Sequence, residues 1–466
     1  MSGHTRRRLH VLKFGGTSVG TAERIGWVAR RSAASARQER TIVVVSAMAG
    51  TTNLLLRSAQ AAASRDRNWC EAAQEIRRRH SEAASFLLSV GEQSDFSRRL
   101  EAVLEIFESV CQGFEMVGEA TPRGLDRIVS LGEVISAELV AAALRVRGVR
   151  AVAVDAAKLI VTDTRFGDAN VLAEPTRARL RRRLLPLVRR GVLPVVTGFR
   201  GATRDGVPTT LGRGSSDLTA TLIGSMLAAD EVTIWTDVDG VMTADPRLVP
   251  GARVIPRLTF GEAIELAFFG AKVIHWKAIV PVMESGTPLR VRNSFRPSIR
   301  GTLIVPGGGR SAVAAVTAVP RVQLVTVRAD RSLGPVELAT RVIGWLDSTG
   351  VHPLLLLQSS AENSLAFALT HDEARTLPGL AQQLASRHGR DGLVLHSSEE
   401  VGLVTAIGAH ILHPTGVGAR MFSALTRRRI SVLAVATGPS GQGVALAVPP
   451  KSLVSAVRAI HREFRL

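Results

Sequence analysis

The sequence predicts an α/β sandwich followed by two smaller ferredoxin-like modules. Three observations carry this expectation. Short apolar β runs alternate with helical periods from residue 9 to residue 235. The glycine-rich motifs fall directly after those runs, beyond the carboxyl ends of strands, where α/β folds collect their ligands. A break at Pro306-Gly307-Gly308-Gly309-Arg310-Ser311 then separates this part from two weakly similar βαββαβ units.

The elements follow in order. Leu9–Phe14 and Thr41–Ser46 read as buried strands, each closed by a small-residue turn. Residues 54–118 are rich in Ala, Arg and Glu, helical in period and short of breakers. Leu131–Leu144 is a further helix, Val149–Val154 a strand and Arg177–Arg190 a basic amphipathic helix. Val192–Val196 is a strand, Leu218–Leu227 a helix, and Glu231–Trp235 a strand ending at Thr236-Asp237. Beyond the break, each small unit starts with a strand (Val322–Val327; Gly402–Ile407) and a helix (Val336–Leu346; Gly418–Leu425). A strand (Leu354–Gln358; Val432–Ala436), a polar turn and a last apolar strand follow. The expected domains are 1–305, a linker at 306–319, and modules at 320–398 and 399–466.

Composition narrows the class. A chain of 466 residues with 45% hydrophobic and 21% charged residues is long enough for several domains and ordinary for a globular protein. No apolar run reaches the length of a membrane span. Arg6, Arg7 and Arg8 precede only a short apolar run that ends in Lys-Phe-Gly-Gly, which reads as a first strand and not a signal peptide. Cys70 and Cys111 are the only cysteines, so neither a disulfide framework nor a cysteine-rich metal site is expected, and a reducing cytoplasm is the default. The net charge of +19 invites a nucleic-acid reading. The arginines, however, are scattered along helices, Tyr is absent and aromatics make up only 4%, so base-stacking surfaces are scarce and no nucleic-acid partner is expected. Of 59 basic residues only Lys13, Lys158, Lys272, Lys277 and Lys451 are lysines. Where most cations are Arg, a lysine inside a glycine motif marks a need for a compact point charge; Lys13 and Lys272 are so placed.

The most informative stretch is Pro208–Asp217, between an apolar strand and a helix. Gly212 and Gly214 let backbone approach a ligand. Arg213 offers a planar fork for a carboxylate. Ser216 and Asp217 fall where a helix start presents free N–H groups. Lys13-Phe14-Gly15-Gly16-Thr17-Ser18 adds complementary chemistry, and together they point to a small, anionic, phosphate-linked substrate.

These motifs match a family. The chain resembles the aspartate kinases of the amino-acid kinase superfamily over nearly its full length. The carriers are KFGGTSV (13–19), VVVSAMAGTTNLL (43–55), TPRGLDRIVSLGEVISAEL (121–139), VVTGFRG (195–201), TTLGRGSSDLTA (209–220), TDVDGVMTADPR (236–247), FGAKVIH (269–275) and PLRVRN (288–293). The resemblance implies a three-layer αβα sandwich of the carbamate-kinase type with tandem ACT modules. It implies transfer of a phosphoryl group from ATP to the side-chain carboxylate of L-aspartate, with Mg²⁺ arriving on the nucleotide. A carboxylate is already nucleophilic, so positioning and charge neutralisation should carry the rate. Lys13 and Asp217 then match the catalytic pair. Gly15, Gly16, Thr236, Asp237, Met242, Arg247 and Lys272 match the nucleotide site. Ser46, Thr52, Glu133, Arg213 and Ser216 match the aspartate site, with Glu133 on the substrate ammonium. The first module keeps the turn Gln358-Ser359-Ser360-Ala361-Glu362-Asn363, so Ser359, Ser360, Glu362 and Asn363 match an effector site for lysine or threonine. A homodimer is the expected assembly. The alternatives are a kinase for another amino-acid carboxylate, or a silent regulatory paralogue.

The sequence departs from the family pattern at several points. Met242 stands where Tyr is common, Ser215 replaces a Gly, and Trp276 replaces a Pro after His275. Ser215 narrows the pocket if that position requires φ > 0. In the second module Gly-Pro-Ser-Gly-Gln-Gly replaces the usual effector loop, which predicts a weakened or altered effector response. His275 reads as a structural residue.

Overall fold

The computed structural model describes residues 7–212, 214–271, 273–307, 311–329, 333–375, 393–409, 411, 416–438 and 440–466, with backbone alone at 393–398. The chain divides into two compact units. One comprises 1–241, 256–260 and 273–307; the other comprises 242–255, 261–272 and 308–466.

The first unit is built on an eight-stranded sheet. Its strands are β1 (Leu9–Phe14), β2 (Arg40–Val45), β3 (Ala151–Val154), β4 (Leu193–Thr197), β7 (Glu231–Thr236), β8 (Arg257–Thr259), β9 (Leu289–Asn293) and β10 (Thr302–Val305). A small antiparallel hairpin supplies β5 (Arg200–Ala202) and β6 (Pro208–Thr210). The sheet order is β3-β4-β2-β1-β7-β9-β10-β8, parallel except where β10 meets β9. β1 lies at the centre, flanked by β2 and β7, and its register pairs Lys13 with Val44 and with Ile234. Central parallel strands are covered on both faces and so read as continuous apolar runs; Ile42, Val43, Val44 and Val45 are all fully buried.

The helices explain the long Ala/Arg/Glu stretch. It folds as α2 (Thr51–Ala63), α3 (Trp69–Leu87) and α4 (Val90–Val117), preceded by α1 (Ala22–Gln38). Their apolar stripes meet in one core with α6 (Leu131–Arg145), through Leu55, Ile76, Leu100, Leu104 and Phe107. α5 (Pro122–Val129) starts on a Thr121 cap with Pro at its first position. α7 (Ala173–Arg189), α8 (Ser215–Met226) and α10 (Trp276–Ser285) complete the unit, with α10 packed on α8.

The second unit holds α9 (Phe260–Phe268) for all but its first residue, and a six-stranded antiparallel sheet. The strands are β11 (Ala315–Ala329), β12 (Leu355–Ser359), β13 (Ser364–Leu369), β14 (Leu393–Ile407), β15 (Ala434–Thr437) and β16 (Gly443–Val448), in the order β12-β13-β11-β14-β16-β15. Helices α11 (Pro335–Thr349), α12 (His371–Ala374), α13 (Val417–Thr426) and α14 (Leu453–Glu463) accompany it. β11 begins at Ala315, inside the span read as a linker. β14 runs through the expected module boundary at 398/399. The reason is a long ladder from Ala315↔Ile407 to Ala329↔Leu393, with β-bulge irregularities on the way, which joins the two modules into one sheet.

Candidate active site

The strand ends of the first unit converge on a polar cluster. Ser46 N–H donates to the Phe14 carbonyl at 3.1 Å, and Gly15 N–H donates to the Trp235 carbonyl at 3.2 Å. These bonds tie the ends of β1, β2 and β7 together. A Cβ on Gly16 would stand 3.0 Å from the Ala47 carbonyl oxygen, so this crossing needs its small residue. Lys13 projects from β1 just before the turn. Its Nζ lies 2.6 Å from Asp217 Oδ1, and both side chains are nearly enclosed, at 9% and 12% exposure. A buried pair of this kind is costly to break, because removing one partner strands the other charge.

Asp217 is held by the turn into α8. Gly214 caps that helix at φ 71° and Gly212 precedes it at φ 79°, left-handed conformations that favour glycine. Ser215 is not among the residues with positive φ. Its buried hydroxyl donates to the Gly212 carbonyl at 2.6 Å, so the serine closes the turn without strain, and the condition for a narrowed pocket is not met. Ser216, 9% exposed, lies against Gly198, where a Cβ would come within 2.5 Å of the Ser216 hydroxyl. Arg213 falls outside the described residues.

Glu133 lies in the first turn of α6 and is 4% exposed. Burial pushes its carboxyl up to about 7, against which hydrogen bonds from the Ala47 and Glu133 N–H groups and the charges of Arg200 and Lys13 pull it down. Among the described residues its Oε2 has no hydrogen-bond partner. Such an acceptor is unusual in a folded protein and fits a cationic ligand group. Gly132 allows the approach: a Cβ there would stand 2.7 Å from Ala47 Cβ. Ser46 is half-buried after β2, and Thr52 is half-buried in the first turn of α2.

Thr236 ends β7, with its hydroxyl donating to exposed Asp237 at 3.2 Å. Asn293 Nδ2 donates to the Asp237 carbonyl at 3.3 Å and to Asp239 Oδ1 at 2.7 Å, which orders this turn. Met242 and Arg247 belong to the second unit. Arg247 is 86% exposed and held by Asp245 at 2.7 Å. Lys272 lies outside the described residues. In the second unit, Ser359, Ser360, Glu362 and Asn363 form the turn between β12 and β13. Ser359 Oγ accepts the Glu362 N–H at 3.4 Å, and Asn363, at φ 46°, donates to the Leu333 carbonyl at 2.7 Å.

Three residues that sequence reasoning passed over help to build the site. Phe199 has φ 69°, and the Arg200 N–H donates back to the Gly198 carbonyl at 2.8 Å. That is a γ-turn with positive φ at a non-glycine residue, a strained arrangement typical of functional sites. No sequence signal marks it. Arg200 is 6% exposed, with its Nε 3.2 Å from Asp155 Oδ1; the arginine-rich background concealed it. Asp126, 2% exposed, accepts from Gly167 N–H at 3.0 Å and from Thr210 N–H and Oγ1 at 2.9 and 2.6 Å. It thereby fixes the strand that leads into residues 211–217. Its one signal was that it falls inside the motif stretch 121–139. His275 caps α10, accepting the Lys277 N–H at 3.3 Å on Nδ1, and stacks on Trp276 at 5.8 Å.

Comparisons with known proteins agree with this architecture. The model of the Amino acid kinase family matches residues 8–293, and that of an ACT domain matches residues 404–464. The bifunctional aspartokinase/homoserine dehydrogenase 1 of Zea mays is 31% identical over 98% of the chain, and the chain spans about half (50%) of its length. Aspartokinase 1 of Arabidopsis thaliana is 31% identical over 97% of the chain and 80% of its own length. The crystal structure of E. coli aspartokinase III in complex with aspartate and ADP (R-state) superposes with a TM-score of 0.85 at 30% identity, covering 98% of this chain and 100% of that one. The same enzyme in complex with lysine and aspartate (T-state) gives 0.78 at 30% identity, over 98% and 99%.

Proposed function

The chain belongs to the amino acid kinase family, and within it to the aspartokinases, and from that premise we propose that it transfers a phosphoryl group from ATP to the side-chain carboxylate of L-aspartate. The observation that carries this reading is the enclosed Lys13–Asp217 pair beside the Gly15-Gly16 turn. Lys13 neutralises charge on the phosphoryl group in transit, while Gly16 turns its N–H toward the phosphates and Gly15, whose own N–H is taken by the Trp235 carbonyl, lets the backbone come close to them. A substrate carboxylate oxygen forms the new P–O bond as the bond to the β-phosphate breaks, so ADP leaves without any general base.

The Oε2 of Glu133, without a partner among the described residues, supports its role on the substrate ammonium. Ser46, Thr52, Ser216 and Arg213 complete the aspartate site in this reading, and Thr236, Asp237, Met242, Arg247 and Lys272 the nucleotide site. In this reading Mg²⁺ arrives on the triphosphate. Bound there, the ion would offset phosphate charge. The turn Ser359–Asn363 is the proposed effector site for lysine or threonine. The exposed edge strand β12, with Leu356 47% exposed, supports a homodimer.

The test is ADP release from Mg-ATP with L-aspartate or L-glutamate, with hydroxylamine trapping of the acyl phosphate, on wild type and Lys13→Ala. Turnover with aspartate that vanishes in Lys13→Ala is the expected result. Turnover with glutamate alone would move the reading to another amino-acid carboxylate. No turnover with either would leave a regulatory role.

A further inference from the structure

Lys277 is one of only five lysines in a chain that otherwise uses arginine, and the reading above gives it no role. Its Nζ lies 2.7 and 3.0 Å from the two carboxylate oxygens of Asp168. A pair at 38% and 51% exposure would ordinarily count as surface decoration. Its surroundings argue otherwise. Asp168 Oδ1 stands against Gly212, where a Cβ would collide with it. His275 stands against Gly214, its Cβ 2.6 Å from where a Cβ would be. Both glycines are left-handed, at φ 79° and 71°, and they flank residue 213 on either side.

The two abutting groups are also joined to each other. Lys277 binds Asp168 through its side chain, and its N–H donates to His275 Nδ1 at 3.3 Å. His275 is the cap of α10, the helix that packs on α8. Asp168 is brought in on the loop whose Gly167 N–H is bound by Asp126. Two left-handed glycines so close together make the entry into α8 intrinsically loose, because glycine samples more backbone conformations than any other residue. Something outside the turn has to select one of them.

We propose that Asp168, Lys277 and His275 form a clamp that fixes Gly212 and Gly214, and with them the entry into α8 that carries Ser216 to the amino-acid substrate. These are positioning residues that act through the turn. The proposal rests on the assignment of Ser216 to the amino-acid substrate. It predicts an effect on amino-acid binding that is separate from nucleotide binding and from the chemical step.

Four variants test it: Lys277→Met, Lys277→Arg, Asp168→Asn, and Lys277→Met combined with Asp168→Asn. All keep the Lys277 backbone N–H. Lys277→Met and Asp168→Asn should each raise KM for aspartate by about 10-fold, with KM for ATP and kcat within about 2-fold of wild type. Lys277→Arg should restore the wild-type value, and the double variant should be no worse than either single one. Hydrogen exchange at the amides of 211–217 should be faster in both single variants and normal in Lys277→Arg. Exchange needs no substrate, so it decides the clamp even if wild type proves inactive on aspartate, a result that would count against the functional reading alone. Wild-type exchange in both single variants overturns the proposal. So does additivity in the double variant, or a Lys277→Arg as impaired as Lys277→Met.

Discussion

Replacing Glu133 by glutamine should stabilise the protein at pH 8 and do little at pH 5. The carboxyl is buried, and its pKa rises from 4.5 to about 7 in the folded chain. Between those values the folded protein holds a proton that the unfolded chain has released. Stability therefore falls as pH rises through this window, and the full cost is present above about pH 7. A shift of this size, at about 1.4 kcal/mol per pKa unit, corresponds to about 3 kcal/mol carried by the ionised group. Glutamine has the same shape, can still accept the Ala47 N–H, and does not ionise. The assay is the difference in Tm between Glu133→Gln and wild type, without ligands, from pH 4.5 to pH 8.5. Taking the difference cancels every other titrating group. It should be near zero at the acid end and grow to several degrees by pH 8, in favour of the variant. A difference that stays flat with pH, or that favours wild type at pH 8, would refute the argument that burial outweighs the partners of this carboxylate.

The same titration predicts that aspartate binds wild type more tightly at pH 8 than at pH 6, because the ammonium needs the ionised carboxylate. Calorimetry should show protons released on binding at pH 6, and a pH-independent affinity would contradict the role given to Glu133. Gly198→Ala should cost about 1–3 kcal/mol of stability or displace Ser216, since the new Cβ would meet the Ser216 hydroxyl at 2.5 Å; thermal melts and KM for aspartate separate the two outcomes. Asp126→Ala leaves Gly167 N–H and both Thr210 donors without their acceptor. It should cost about 3 kcal/mol, at roughly 1 kcal/mol per lost bond, and unfolding curves check it. Lysine and threonine should bind weakly and inhibit little, because Gly-Pro-Ser-Gly-Gln-Gly stands in the second module; tight binding with strong inhibition, by calorimetry and assay, would overturn this.

What sequence could and could not disclose divides along a physical line. β1, β2, β4 and β7 were legible because central parallel strands are apolar on both faces and short, and because their turns need glycine. Lys13 was legible because a lysine stood out against arginine, and Asp217 because it opens a helix. The shared sheet of the second unit was not. Its defining contact, Ala315 to Ala329 on Leu393 to Ile407, joins segments far apart in the chain, and strand patterning gives a face but not a partner. Hence a linker and a module boundary were drawn where strands run.

At the site the missing information was of another kind. Phe199 has a backbone conformation that its side chain disfavours, so no preference in the sequence could announce it. The strain is tolerated because both ends are fixed: Gly198 N–H donates to the Val45 carbonyl at 2.8 Å, and the Phe199 carbonyl accepts the Leu211 N–H at 3.0 Å. Those two bonds join the end of β2 to the start of the 211–217 turn. Because Gly198 is bonded to the residue before Ser46 and abuts Ser216, the turn bears on two residues assigned to the same ligand. Relaxing it by Phe199→Gly should therefore leave the fold intact, since glycine accepts the positive φ, while raising KM for aspartate about 10-fold or more through lost positioning. An unchanged KM in a stable Phe199→Gly would mean that the strained turn serves packing alone.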